Sequence, residues 1–142
     1  MVLLMLDDYR RNKRSNKMGD DYKVIENKLL INGITVSFSH KIMQIEYLDG
    51  IYIVMLGYFG DNAEIDNIYG VDKCGKLVWK IENAAKVFNK DKNSQGYMYY
   101  AKSTYCGFNI NKDGTISAFT YMSMCFIVDC KTGKLLDERQ AQ

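Results

Sequence analysis

NIYGVDKCGKLVWKIE (residues 67–82) and MCFIVDCKTGKLLDERQ (residues 124–140) share the core V-D-x-x-G-K-L, with one residue inserted in the second copy. In each, an apolar strand ends on an aspartate (Asp72, Asp129), a glycine-bearing turn follows, and a second strand runs back. Glycine supplies the positive φ that such tight turns need, so each copy reads as an antiparallel hairpin. Two copies make an internal repeat. A further hairpin precedes each, turning at Asp49-Gly50 and at Asp113-Gly114. The fold predicted is mainly β: serial antiparallel hairpins forming two four-stranded, propeller-blade-like meanders, over about 41–82 and 105–140. Upstream, Asn32-Gly33 joins KLLI to ITVSF in one more hairpin. Between the repeats, one short helical turn is expected around Ala84 to Phe88, followed by a polar stretch and a tyrosine-rich segment.

The composition fits a single small domain. The chain has 142 residues, 47% hydrophobic and 25% charged, enough apolar material for one core. The domain is expected to occupy residues 22–142, behind a flexible basic tail over 1–21 that holds Arg10, Arg11, Lys13, Arg14 and Lys17. The net charge of +2 resides in that tail, and translation from Met18 would remove it. Cys74, Cys106, Cys125 and Cys130 form no C-x-x-C pair, and the apolar opening Met1 to Leu6 is too short for a secretory h-region or a membrane span. These features predict a cytoplasmic protein with reduced thiols and no membrane segment.

The stretch NIYGVDKCGKLVWKI resembles the repeat of quinoprotein-type (PQQ-like) β-propellers, in which a strand ends in aspartate, a glycine turn follows and the next strand closes on tryptophan. CFIVDCKTGKLLDER resembles it too, but Asp137 stands where the first copy has Trp79. Two meanders are fewer than the roughly four to eight blades of a closed propeller. The resemblance therefore implies blade-like sheets and does not carry over the quinone cofactor, whose ligands belong to a complete ring. Trp79 is expected to be buried between sheets, since an indole on the inward alternation of KLVWKI is poorly served by water.

No catalytic, cofactor or metal constellation is legible. His40, the only histidine, lies in SFSHK beside Ser37 and Ser39 and reads as a solvent-exposed loop residue. Asp61, Glu64 and Asp66 in DNAEIDN lack the ligand periodicity of a calcium loop and read as a solvated connector. Asp72 and Asp129 read as Asx-type acceptors within their turns. No Gly-rich phosphate cradle is present; Gly57 and Gly60 in LGYFGDN read as a strand bend. The basic run RRNKR is a generic feature, and nucleic acid is not the expected partner.

The segment that a core explains least well is Tyr97-Met98-Tyr99-Tyr100, followed by Tyr105 and Phe108, where strand-like alternation would bury one face and leave at least one or two tyrosines outward. Exposed tyrosine and methionine offer contact area at low entropic cost, so Tyr97, Tyr99, Tyr100 and Tyr105 are the predicted partner-binding residues. The chain is accordingly expected to be a non-catalytic intracellular protein that masks a protein partner. In style, a small stand-alone β-domain rich in Lys, Asn, Ile and Tyr resembles the immunity proteins that neutralise bacterial toxins. The alternatives are a small-ligand-binding or enzymatic domain with a pocket between the two sheets, or a structural module that assembles into a ring.

Overall fold

The computed structural model describes residues 22–57 and 64–140; the tail over 1–21, together with Gly60 and Asp61, lies outside them. Three antiparallel meanders follow one another along the chain. The first holds β1 (Tyr22–Ile25), β2 (Lys28–Ile31) and β3 (Ile34–Ser37) in the order β1-β2-β3. The second holds β4 (Ile42–Leu48), β5 (Ile51–Leu56), β6 (Ile68–Asp72) and β7 (Leu77–Lys80), each paired with the next. After α1 (Ala84–Val87) and α2 (Tyr97–Ala101), the third meander holds β8 (Tyr105–Ile110), β9 (Ile116–Thr120), β10 (Met124–Val128) and β11 (Leu135–Gln140). The second and third hold the two repeats.

The repeat extends to backbone irregularities. The first strand of each repeat is bulged against the second, at Met43 in β4 and at Cys106 in β8. The last strand of each slips against the third, passing Val78 in β7 and Leu136 in β11. Asp72 Oδ1 accepts the N–H groups of Cys74 and Lys76, each at 2.9 Å, and Asp129 Oδ1 accepts that of Lys131 at 2.8 Å. Both aspartates thus close their turns as the Asx reading requires.

The sheets stack in chain order, with the second in the middle. Its strand β5 is buried from Tyr52 to Leu56 without alternation, because both its faces are covered. Ile53 and Met55 face the third sheet, where Tyr105, Phe108, Ile116, Ala118, Phe126 and Val128 complete one core. Tyr52, Val54 and Leu56 face the first sheet, meeting Tyr22, Val24, Leu29 and Ile31 in a second core.

Trp79 locks the second sheet to the third. Its indole is 6% exposed and its Nε1–H donates to the Cys130 carbonyl at 2.8 Å. It lies against Gly70, its cross-strand partner, and against Gly133 in the β10–β11 turn. The equivalent turn glycine of the second sheet, Gly75, lies against Ile34 on β3. Each sheet therefore presents its last turn to the last strand of the sheet before it. The polar joints are side-chain clamps: Gln44 Nε2 donates to the Phe108 carbonyl at 2.8 Å while its Oε1 accepts the Phe108 N–H at 3.1 Å. Fully buried Asn67 joins the Leu56 and Tyr105 carbonyls and accepts the Tyr105 N–H at 2.7 Å.

Candidate binding surface

The tyrosine-rich segment is a helical turn where sequence suggested an extended, alternating stretch. Gly96 enters α2 in the left-handed region at φ 77°, which costs glycine nothing. At its far end Ser103 Oγ donates to the carbonyls of Tyr99 and Tyr100, at 3.2 and 2.9 Å. Upstream, Asp91 Oδ1 accepts the Asn93 N–H at 2.9 Å, and the Ser94 hydroxyl donates to the same carboxylate at 3.2 Å. These local bonds override the strand preference of tyrosine.

Helical spacing sorts the four predicted partner-binding tyrosines differently from strand alternation. Tyr100 turns inward, 9% exposed, between Phe88 and Phe126, with ring centroids 6.2 and 5.8 Å away. Its hydroxyl donates to Glu138, whose carboxylate pushes the phenol pKa up to about 12. Tyr105 is fully buried in β8, and burial pushes its phenol well above the ordinary range. Its hydroxyl makes no hydrogen bond of ordinary geometry among the described residues, and Ser103 is the polar side chain beside it that opposes the effect of burial. Both residues are core, and this corrects their assignment as partner contacts. Tyr97 is half-buried against the same core, whereas Tyr99 stays 46% exposed.

What replaces the two buried tyrosines at the surface is Met98, 48% exposed, and the β9–β10 turn, where Tyr121 is 72% and Met122 44% exposed. Met122 and the Tyr97–Tyr99 stretch line one cavity of about 370 Å³, with Lys92 at its edge. Sequence reasoning missed this turn because Tyr121 and Met122 lie 20 and 21 positions beyond the end of α2. Pairing of β8 with β9 connects the two segments: the Tyr121 N–H donates to the Thr104 carbonyl at 2.9 Å, directly after α2.

A second concavity, of about 510 Å³, lies between the first strands of the two repeats. Met43, Glu46, Cys106, Asn109 and Phe119 are among its walls.

The remaining candidates have structural partners. His40 is half-buried rather than solvent-exposed, with Nδ1 2.8 Å from Ser39 Oγ. Ser39 also lies 2.6 Å from Glu64 Oε1 and donates its one proton there, so the His40 Nδ1–H is the donor to Ser39. In this arrangement the imidazole does not act as base toward that hydroxyl. Glu64 in addition accepts the Tyr69 hydroxyl and pairs with Lys80 at 3.2 Å. Burial opposes its charge, but these three partners win and lower its pKa.

Asp66 behaves in the opposite way. It sits at φ 56°, Asn83 Nδ2 donates to its Oδ2 at 3.0 Å, and its Oδ1 is buried without a partner among the described residues. Burial raises its pKa to about 6. DNAEIDN is thus no solvated connector at Glu64 and Asp66. Among the described residues no three His, Cys, Asp or Glu side chains converge on a metal-sized site, and no helix is long and apolar enough to cross a membrane.

The fold and surface define a class: three antiparallel β-meanders packed in series, with a helical insert between the repeats that builds an exposed Tyr/Met patch. The chain belongs to the family described as a domain of unknown function, DUF7957, whose profile matches residues 20–140. Among solved structures it is similar to two computationally designed proteins, Ika8 and Ika4. Each has a TM-score of 0.51 and 11% identity over 81% of this chain. The match spans 30% of the Ika8 chain and 61% of the Ika4 chain, and at that identity it concerns the fold alone. No curated protein matches significantly.

Proposed function

We propose that the protein is a non-catalytic binding protein that masks a protein partner, as an immunity protein masks a toxin. The observation that supports this reading is the cluster of Met98, Tyr99 and Met122, all more than 40% exposed around one cavity, with exposed Tyr121 next to Met122 in the chain. Large apolar side chains gathered on a surface, with methionine to adapt and tyrosine to anchor, have the composition of an interface centre. The surface rests on short helical and turn segments held by two rigid sheets, the usual site of recognition. The test is co-purification from native cells of the wild-type chain and of Met98→Ala, Tyr99→Ala and Met122→Ala. Loss of one shared partner with each variant, at an unchanged unfolding midpoint, is expected. A partner retained by all three would sink the proposal.

The cleft between β4 and β8 supports a second reading, a small-ligand site between the repeats. A ligand that raises the unfolding midpoint of the wild type but not of Asn109→Ala would favour it.

A further inference from the structure

Four lysines and one aspartate lie between Lys86 and Lys102, the stretch that carries α2. The acidic groups beside the patch are already engaged: Asp91 accepts from Asn93 and Ser94, and Glu138 accepts the Tyr100 hydroxyl. These hydrogen bonds leave both carboxylates charged, and the stretch still sets four lysines against the single Asp91. Lys92 lines the cavity, Lys102 is exposed at the end of α2, and neither has an ion-pair partner among the described residues. Lys90 holds its ammonium 4.9 Å from the Tyr100 ring centroid, a contact that keeps the charge at the surface. The cavity thus combines Tyr97, Met98, Tyr99 and Met122 with the polar Lys92 and Ser94, and Lys102 stands one turn beyond Met98 on α2.

Resting on the protein-binding reading above, we propose that the surface receives an acidic protein segment: a bulky apolar side chain seated among Tyr97, Met98, Tyr99 and Met122, flanked by carboxylates that meet Lys92 and Lys102. The arrangement places apolar anchors at the centre and steering charges at the edge. A single-stranded nucleic acid shares the negative charge, but it binds by stacking bases on flat rings. Half of the exposed apolar residues here are methionines, which shape themselves to a side chain better than to a base.

The experiment is selection of phage-displayed random peptides on the full chain at physiological salt. The selected peptides are then assayed by titration against wild type, Lys92→Glu/Lys102→Glu, the milder Lys92→Gln/Lys102→Gln, and Met98→Ala/Met122→Ala. Oligo(dT) is titrated in parallel. Selected peptides are expected to carry Asp or Glu around a bulky apolar residue. Their affinity should fall about tenfold or more with the charge-reversed variant, less with the glutamine variant, and vanish with the methionine variant. Peptides that need Met98 and Met122 but show no acidic bias and ignore the lysine changes would overturn this inference and leave the protein-binding reading standing. Peptides indifferent to the methionines, or oligo(dT) bound through the lysines with no peptide selected, would overturn both.

Discussion

Asp66 and Trp79 show how single residues carry this fold in opposite electrostatic and steric regimes. The Asp66 carboxyl has its folded-state pKa raised from 3.8 to about 6, mainly by burial, so the folded chain holds the proton more tightly than the unfolded one. Its contribution to stability is fully present below 3.8 and is lost as pH rises through about 6. The gap between those two values sets a ceiling of about 3 kcal/mol, and partial solvent access reduces this to about 1–2 kcal/mol. Asp66→Asn is therefore expected to be more stable than wild type at pH 8 and equal to it near pH 4. Paired denaturant titrations at both values check this, and a constant difference would contradict the assignment. Glu64, with its lowered pKa, titrates with the opposite sign, stabilising above its unfolded value of 4.5 and failing below it. At Trp79 the constraint is space: a Cβ on Gly133 would lie 2.6 Å from the indole, and Gly133 sits at φ 73°. Gly133→Ala should lower the unfolding free energy by about 1–3 kcal/mol, measured by urea unfolding followed through Trp79 fluorescence.

At the scale of elements, α2 is a turn of five residues whose place comes from Gly96, Ser103 and the packing of Tyr100, since an isolated helix of that length is unstable. Its inward Tyr100 and the neighbouring Tyr105 of β8 should answer differently to loss of a hydroxyl. Tyr100→Phe removes a charge-assisted bond to Glu138 and should cost about 1–2 kcal/mol. Tyr105→Phe removes a buried hydroxyl whose polar neighbour is Ser103 alone, in poor hydrogen-bond geometry, and should change stability by less than about 1 kcal/mol. Thermal or urea unfolding of the two variants separates these outcomes; equal losses would mean that Tyr105 is bonded after all. Neither change should touch partner binding, whereas Tyr99→Ala should. Between elements, Gln44→Ala leaves the Phe108 N–H and carbonyl without their clamp and should cost about 1–3 kcal/mol.

The whole molecule is a stack with an apolar middle and mixed outer faces. Lys23, Lys28, Thr35 and Ser37 point away from the core on the first sheet, and Asn109, Ser117, Asp137 and Arg139 do so on the third. Amide exchange should follow this layering. Ile53, Val54 and Met55, with both faces of their strand covered, should be the slowest amides, and those of β3 and α2 should be among the fastest. Faster exchange in β5 than in β3 would show that the two cores do not form one cooperative unit.

The sequence by itself determined the hairpins and the repeat. A glycine turn such as Asp49-Gly50 or Asp113-Gly114 encodes its own reversal, and V-D-x-x-G-K-L encodes the Asx turn that follows it. Burial of Trp79 was legible too, since a large indole on an apolar alternation must be covered. Strand β1 was not read because its turn at Glu26-Asn27 carries no glycine, although Glu26 takes φ 56°, and the order of stacking depended on contacts between distant turns and strands, as at Gly133 and Trp79, which no local pattern records. The same holds for the binding surface. Sequence marked the Tyr97–Tyr105 region, but a helical turn in place of a strand changed the period of exposure from two to about 3.6 residues. That change sent Tyr100 into the core alongside Tyr105, and β8–β9 pairing brought Met122 to Met98 and Tyr99.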